Sequence, residues 1–424
     1  MFKKISQIFK IPDLRKRVLF VLGVLGIFRV MASIPMPGMD RESLQEFFAR
    51  FEMFEFANLL TGGTLDRFSI VMLGLGPYIT AVIIMQLLTM VIPQLERLQK
   101  EEGAAGRQKI NQYGRYLTVP FAILQSFGML TLFQREGVIA PLGGITLLST
   151  ILTVTAGTLF LMWLGELISE KGIGNGVSLL IFAGIISDLP TNLLQAIAGW
   201  DPTQVLSYLL LLILIVLIIA SVVMVNEARR NIPVSYAKRV KGRKVYGGAS
   251  TFIPLSVNPA GVIPIIFAIS ILSLPAMISG FLLGSEGFVG NIAQFIEDLF
   301  SNPWFQGTAY FLLVCAFTYF YTAVTFDPKT VSDNLKKMGG FVPGIRPGRS
   351  TKDYIHFILN RVLLVGALFL ATIAVMPSIV AGLTGVSTFQ FLMGGASALI
   401  IVSVVLETMR QINAQLQMRE YEKI

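Results

Sequence analysis

Long apolar segments separated by shorter polar stretches dominate the chain. A helix that spans a membrane needs about 20 consecutive, mostly apolar residues, and ten segments meet or approach that length. The pattern therefore predicts an all-α, polytopic membrane protein with ten transmembrane helices. The ten segments are residues 18–34, 70–92, 116–133, 147–167, 176–194, 208–226, 252–277, 304–325, 361–380 and 389–409.

The composition supports this interpretation. The chain is 54% hydrophobic and only 14% charged, whereas soluble domains carry about 25% charged residues. Its 39 glycines and 19 prolines would interrupt soluble helices, but membrane helices tolerate them because neighbouring helices satisfy the freed backbone groups. The composition excludes an ordinary soluble protein.

The formal net charge of +9 would suit nucleic acid, but its distribution along the chain points elsewhere. Basic residues concentrate in alternate loops, and the loops 187–207, 279–303 and 377–388 contain no Lys or Arg. By the positive-inside rule, this alternation predicts a multi-pass protein of the cytoplasmic membrane with both termini in the cytoplasm. We expect no specific reading of nucleic acid. The four basic residues predicted outside are Arg41, Arg50, Arg67 and Arg135.

Five segments precede the loop near residue 200 and five follow it. An odd number of spans gives the two halves opposite orientations, as in inverted-repeat transporters and channels whose working site lies near the midplane. We therefore expect an N-terminal half at 1–199, with segments one to five, and a C-terminal half at 200–424, with segments six to ten. The first segment follows basic residues as a signal peptide does, but the alternation of charge requires its retention.

The start of the second segment is irregular. Residues 59–70 contain the pair Gly62-Gly63 and the charged pair Asp66-Arg67, and two glycines and a proline follow within 74–77. Such a cluster breaks a helix, so we predict a short half-inserted helix at 59–70 and a true span from about Gly74. The alternative is an ordinary extracellular loop with a proline kink. Irregular backbone at membrane depth is tolerated where it lines a cavity, which favours a pore.

Two predicted cytoplasmic loops, 226–251 and 326–360, are long, and they carry seven and six basic residues. In one interpretation this charge only sets the topology or binds anionic lipid headgroups. In the other the loops have ordered tips that meet a partner, because connections of this length are uncommon unless they are functional.

Enzyme signatures are missing from the sequence. It has no phosphate-binding Gly-rich loop, no His-Glu-x-x-His and no Gly-x-Ser-x-Gly. The single Cys315 and single His356 offer no metal site, so we expect no enzyme activity, metal or cofactor. Arg29, Glu166 and Glu407 lie towards the ends of spans, which argues against a proton-coupled transporter.

Several motifs together resemble one family, the SecY family of protein-conducting channels, which form the large subunit of the bacterial Sec translocon. The similarity covers essentially the whole chain and includes the long loops. The matching stretches are 34–38, 62–70, 74–88, 172–184, 231–239, 256–267, 341–348 and 394–395.

The resemblance implies a clamshell of two inverted halves around a pore that translocates unfolded secretory chains and releases membrane proteins sideways into lipid. The family's outer plug matches 59–70, and its key positions here are Leu60, Gly62, Gly63, Asp66 and Arg67. The family's constriction of aliphatic side chains, which would close around any chain and dewet when empty, maps by motif to six positions. They are Leu75, Ile79, Val177, Ile181, Ile266 and Ile400. Ordinary helix packing is the alternative role for each.

The resemblance also implies a lateral gate for signal peptides between segments two and three on one side and seven and eight on the other. Its polar residues would be Gln86, Gln125 and Asn258, although ordinary interhelical hydrogen bonds explain each of them singly. The long loops would bind the SecA ATPase motor or the ribosome through Lys238, Arg239 and Arg346. Small SecE and SecG-like membrane subunits, the unfolded preprotein with its signal peptide, and membrane lipids complete the expected partners.

Two other classes of function are compatible with a chain of ten spans. The main one is a secondary transporter of a neutral small solute, which would need a polar pocket at the midplane and compact loops. A lipid-processing enzyme is more distant, because it would need paired carboxylates or a Ser/His arrangement in the membrane.

Overall fold

The computed structural model describes residues 11–36, 43–44, 58, 61–198, 205–236, 239–241, 244–246, 250–282, 288–384 and 395–421. Each of the ten predicted spans overlaps one helix. The helices are α1 (Pro12–Ala32), α2 (Gly76–Val91), α3 (Pro93–Glu101), α4 (Gly103–Arg135), α5 (Gly144–Lys171), α6 (Gly176–Ala198), α7 (Val205–Glu227), α8 (Ile263–Leu282), α9 (Phe288–Ser301), α10 (Pro303–Thr325), α11 (Pro328–Lys337), α12 (Arg349–Thr384) and α13 (Gly395–Tyr421).

The lengths of these helices fit a membrane protein. Six of those described are long and apolar enough to cross a membrane, or seven if the bent pair α2 and α3 forms one span, and α6 and α8 hold shorter apolar stretches. The bend of 104° between α2 and α3 occurs at Ile92 and Pro93, where Ile92 has an extended backbone. A proline restricts the preceding residue to extended conformations, so the sequence itself dictates this break.

The described chain divides into two compact units that combine distant parts of the sequence. The first comprises Met1–Pro202, Ile266–Thr308 and Ile400–Ile424, and the second comprises Thr203–Ile265 and Ala309–Leu399. Contacts within each unit, rather than the order of the chain, define this division. The two inverted halves at 1–199 and 200–424 stay a prediction.

The core of the first unit lies where the residues after α1, the turns before α2, the C-terminal end of α4 and the first turns of α5 meet. Phe68 and Phe133 are both almost fully buried there, and their ring centroids are 5.7 Å apart. A smaller cluster joins Leu14 of α1, Ile173 before α6 and Ile412 of α13. These contacts fix the ends of the helices that carry most of the predicted site.

Residues 61–75, which we name the turn segment, correct one prediction. We expected a half-inserted helix over 59–70, but from Gly62 to Leu75 the backbone is a series of turns. Gly62, Gly63 and Gly74 have positive φ angles, and so does Phe68 at 45°. The hydroxyl of Thr64 donates to the carbonyl oxygens of Thr61 and Val71 at 2.9 and 3.0 Å, so local side-chain bonds replace the helical ladder. Leu60 lies outside the described residues.

The two long loops are folded, and both belong to the second unit. Strand β1 (Arg229–Tyr236) pairs antiparallel with β4 (Ser250–Ser256) on one edge and with the short β5 (Gly340–Phe341) on the other. Two short strands that lie between β1 and β4 in the sequence, β2 (Arg239–Lys241) and β3 (Lys244–Tyr246), pair with each other. The predicted span at 252–277 is therefore wrong at its start, because residues up to Ser256 form a strand and the helix begins at Ile263.

A small apolar core holds this sheet against α11 and α12. Ile232 and Val234 of β1, Leu335 of α11 and Ile355 of α12 are each at most 5% exposed. The carboxylate of Asp327 caps α11, since it accepts hydrogen bonds from the backbone amides of Lys329 and Thr330 at 2.9 and 3.3 Å. The described parts of the two loops thus form a folded platform with its own apolar core.

Candidate functional site

Leu75 and Ile79 lie at the start of α2, directly after the turn segment. The Ile79 amide donates to the Leu75 carbonyl oxygen at 2.9 Å, so the two side chains follow one another on one face of the helix. Both are buried, with 3% and 5% exposed. A Cβ at Gly74 would sit 2.5 Å from the Thr61 Cα, so the glycine lets the turn segment fold back against the start of α2.

Val177 and Ile181 occupy the equivalent spacing at the start of α6. Asn175 positions this helix end, because its carbonyl oxygen accepts from the Leu179 amide at 2.9 Å and its side chain accepts from the Ser178 amide at 3.2 Å. Gly176 packs directly on the backbone of Gly165 in α5. Ile181 is 1% exposed and Val177 is half-buried.

The remaining two predicted constriction residues lie on α8 and α13. Ile266 is 4% exposed and Ile400 is not exposed at all. All six predicted residues belong to the first unit, and five of them are buried. The structure thus brings the six into one compact body, on four helices that are far apart in sequence.

The turn segment lies on α6 just beyond Ile181. A Cβ at Gly62 would be 3.3 Å from the Gly184 Cα and 3.7 Å from the Leu180 carbonyl oxygen. A Cβ at Gly184 would overlap the backbone of Gly62. Only two glycines allow so close an approach of the backbones, and this contact begins one residue from a predicted constriction residue.

Hydrogen bonds attach the other end of the turn segment to the strand-like residues after α1. The amide of Met36 donates to Phe68 O at 2.9 Å, and the amide of Ile70 donates to Ile34 O at 3.1 Å. The side chain of Phe68 is 1% exposed. This end of the segment is therefore anchored in the core of the first unit.

Charged residues around Asp188, near the middle of α6, form a group that was not predicted from the sequence. Arg67 donates from Nη2 to Asp188 Oδ1 at 2.8 Å, and Arg29 Nη2 lies 4.0 Å from the same oxygen. The side chains are only 20–33% exposed, so water screens them incompletely. The sequence places Arg29 and Arg67 in different segments, and Asp188 was not among the predicted site residues.

The three predicted gate residues have different surroundings. Gln86 of α2 and Gln125 of α4 lie on two helices that pack against each other, and Gln125 is 8% exposed. Among the described residues, Gln86 Oε1 is buried without a hydrogen-bond partner. Asn258 was predicted to lie on a helix, but the structure places it outside one. It lies in the turn before α8, where its amide donates to Asn226 Oδ1 at 3.0 Å and Gly261 O at 3.1 Å.

The predicted docking residues lie on the loop platform of the second unit. Arg346 is exposed, and two side-chain hydrogen bonds hold the backbone around it. The Thr351 hydroxyl donates to Arg346 O at 2.9 Å, and the Ser332 hydroxyl donates to Gly348 O at 2.8 Å. Arg239 pairs with Tyr246 in the β2–β3 ribbon, whereas Lys238 lies outside the described residues.

Comparisons with known proteins show what the chain as a whole is similar to. The SecY family model matches residues 69–409. A curated relative, the protein translocase subunit SecY of Streptomyces coelicolor, is 44% identical over 443 residues, which cover 100% of this chain and 99% of the relative. The match thus includes both the transmembrane part and the folded loops.

Two solved structures share the fold. One is of a SecY channel whose plug domain stabilises the closed state and maintains a membrane seal. It has a TM-score of 0.65 at 20% identity, over 93% of this chain and 91% of that chain. The other is Sec61 in the canine ribosome-channel complex from the endoplasmic reticulum, with a TM-score of 0.61 at 17% identity over the same shares.

The matches confirm the predicted helical membrane fold and the predicted class of function, and they give no support to the alternative of a small-solute transporter. They also confirm that the chain is a channel subunit and not an enzyme. With its full-length match to translocase subunits and its helical, multi-pass architecture, the chain belongs to the SecY family of protein-conducting channels.

Proposed function

We propose that the first unit contains the channel's closed seal, with the turn segment as the plug and the six aliphatic residues as the constriction. The observation that carries this proposal is the contact of the turn segment with α6. It begins at Leu180 and Gly184, beside the constriction residue Ile181, and reaches outward to Asp188. A segment in that position covers the constriction from its outer side.

An aliphatic constriction suits a substrate of any sequence. Specific hydrogen bonds would discriminate among unfolded chains, whereas branched aliphatic side chains make contacts that depend little on sequence. When no chain is present, an apolar constriction excludes water and so blocks ions. The near-complete burial of Ile181, Ile266 and Ile400 is consistent with such a closed state.

The structural support for the lateral gate is a buried polar group on α2. Gln86 presents a buried oxygen without a partner among the described residues, and an unsatisfied polar group of this kind costs about 1–3 kcal/mol. A gate that opens to admit a signal peptide would relieve that cost. Gln125 and Asn258 are assigned to the same gate by the family resemblance.

The folded loops are proposed as the docking platform for a cytoplasmic partner, either the SecA motor or a ribosome. Their support is the exposed Arg346 on a hydrogen-bonded backbone next to a buried core. A guanidinium can bind a carboxylate or phosphate with two parallel hydrogen bonds, and its planar shape limits the entropy lost for each bond. Small SecE and SecG-like subunits, the location in the cytoplasmic membrane and the cytoplasmic termini complete the proposal.

The seal is tested by crosslinking from a secretory chain that is stalled during export. A photoreactive residue is introduced at Ile181 or Ile400, and at Leu152 of α5 as a control, because Leu152 is 56% exposed on the helix surface. We expect the stalled chain to be captured from the first two positions and not from the third. Equal capture from all three positions, or capture from Leu152 only, would contradict the assignment of the constriction.

A further inference from the structure

The group of charges near the middle of α6 has no role in the function described so far. It joins three parts of the first unit: Arg29 of α1, Arg67 of the turn segment and Asp188 of α6. Arg67 and Asp188 are 121 residues apart in sequence, and their side chains are in direct contact at 2.8 Å. The Asp188 carboxylate therefore faces two guanidinium groups, and the carboxylate of Asp66, next to Arg67 in the chain, is close enough to interact electrostatically with both arginines.

Backbone shape brings the turn segment to this carboxylate. Gly63 lies against Asp188 so closely that any Cβ at Gly63 would overlap the carboxylate, and Gly63 has a φ of +71°. Gly62 lies against Gly184 one helical turn earlier. The first half of the segment thus rests on α6 through two glycines, while the ion pair at Arg67 closes the contact.

The two ends of the turn segment differ in the kind of force that holds them. The end at Phe68 to Ile70 is held by backbone hydrogen bonds and by a buried aromatic ring. In the other half, Gly62 and Gly63 contact α6 and Arg67 makes the ion pair, while the Thr64 hydroxyl is bonded to Val71 O and Leu65 is buried in the same core as Phe68. The ion pair is therefore the polar part of the attachment to α6, and a movement of the segment away from α6 has to break it.

We infer that Asp188 is the latch of the plug: its ion pair with Arg67 holds the turn segment over the constriction, and opening of the channel requires that this pair break. The inference rests on the proposed assignment of the turn segment as the plug. Asp188 is a positioning residue in this view, because it acts on the passing chain only through the segment that it holds.

Arg29 makes the latch reversible. A half-buried carboxylate that loses its only partner is left with an uncompensated charge, which is strongly unfavourable. When Arg67 leaves, however, Arg29 is already 4.0 Å from Asp188 Oδ1. Its Nη1 atom is buried without a hydrogen-bond partner among the described residues, so a closer approach to Asp188 would satisfy both groups. In the open state Asp188 would therefore pair with Arg29 alone, whereas in the closed state Arg29 and Arg67 share it.

The test uses side chains of nearly equal size that lack the charge. Asp188→Asn, Arg67→Gln and the double variant are expressed as full-length channels, with Glu136→Gln as a matched control at an exposed carboxylate after α4. Export is measured for a reporter with a normal signal sequence and for one with a defective signal sequence. Thermal unfolding of each purified variant shows whether it folds.

Each single variant should raise export of the signal-defective reporter by about 5- to 30-fold, the factor that corresponds to one ordinary interaction in a two-state equilibrium. Because both variants remove the same pair, the double variant should export no more than the leakier single variant. Arg67→Lys, which keeps the positive charge, should restore most of the seal. Glu136→Gln should match the unmodified channel.

Three results would overturn the latch. They are wild-type export in both single variants, a double variant whose effect is the product of the two single effects, and a leak with Arg67→Lys as large as that with Arg67→Gln. A disulfide between cysteines introduced at Gly63 and Asp188 separates this failure from failure of the plug assignment. If that bond blocks export but the neutral variants do not leak, only the latch is wrong. If it does not block export, the turn segment is not the plug.

Discussion

At the scale of single residues, the contact between Gly62 and Gly184 sets how closely the turn segment approaches α6. Alanine at position 184 would place a Cβ on the Gly62 backbone, which cannot yield as the end of a flexible side chain can. Overpacking of this kind costs about 1–3 kcal/mol. We expect Gly184→Ala to lower the thermal unfolding temperature and to raise export of a signal-defective reporter.

The matched control for this substitution is Gly128→Ala in α4. A Cβ at Gly128 would meet no atom within 4 Å, and alanine favours a helix over glycine by about 1 kcal/mol. This variant should be as stable as the unmodified channel or more stable, with an unchanged seal. Equal losses of stability in both variants would show that the effect at Gly184 comes from the helix and not from the contact.

The constriction is tested by a polar substitution at Ile400. Its side chain is completely buried, so an asparagine there would leave a polar group unsatisfied at a cost of about 1–3 kcal/mol to the closed state. This would shift the equilibrium towards opening by about 5- to 150-fold. We expect Ile400→Asn to export a signal-defective reporter. The neighbouring Ile401→Asn, on another face of α13, should leak much less, and equal leakage would contradict the assignment.

The proximity of Arg29 and Asp188 could have been predicted from the sequence. Arg29 lies 11 residues after the predicted start of its span, and Asp188 lies 12 residues after its own. At 1.5 Å per residue, both are about 17 Å from the starts of spans that are predicted to run in the same direction. Opposite charges at equal depth predict a pair, and this signal was available. The positions of Gly62 and Gly184 were not predictable, because a backbone contact leaves no pattern in the sequence.

At the scale of elements, the turn segment is expected to move as a unit about its anchored end. Cβ atoms at Gly63 and Asp188 lie close enough for a disulfide, which needs Cβ atoms about 3.8 Å apart, since the Asp188 carboxylate already touches the Gly63 position. In a Cys315→Ser background, the variant Gly63→Cys with Asp188→Cys should block export when oxidised and recover it on reduction.

A chain trapped in the pore should prevent formation of this disulfide, because the segment would then have left α6. Gly63→Cys alone reports the strain of a side chain at a positive φ and serves as the control. Efficient disulfide formation in both the resting and the occupied channel would show that the segment is static.

Elements with a strong apolar pattern were predictable, and those defined by specific polar contacts were not. Each of the ten predicted spans overlaps a helix because each needs only a long apolar run. The turn segment was expected to be helical, but the hydroxyl of Thr64 and the pairing of Phe68 and Ile70 with residues after α1 satisfy its backbone in turns. The strand before α8 was merged with a span, since Phe252 and Ile253 are apolar in either structure and hydropathy alone does not distinguish them.

At the scale of the whole molecule, hydropathy and charge predict which segments cross the membrane and in which direction, but they do not identify neighbours. The part of α8 from Ile266 onward and most of α13 belong to the same compact unit as the first 202 residues. Hydropathy does not predict this grouping, because no boundary in the sequence marks it. The concentration of basic residues in two loops was predicted to be functional or merely topological. Their folded core at Ile232, Val234 and Leu335 favours a functional platform.

The platform leads to a prediction about the channel and its motor together. Arg346 is exposed on a backbone held by Ser332 and Thr351, and a glutamate there would repel an acidic partner surface and remove the five-donor guanidinium. We expect Arg346→Glu to weaken SecA binding by at least about 30-fold, which corresponds to about 2 kcal/mol, and to abolish ATP-driven export. Folding should be unchanged because the side chain is exposed.

Lys329→Glu makes the same change of charge on the exposed start of α11 and should weaken SecA binding far less. Binding to channels in lipid nanodiscs and translocation into vesicles measure the two effects. Normal translocation by the Arg346→Glu channel, or an equal loss in both variants, would show that this loop contributes only its net charge.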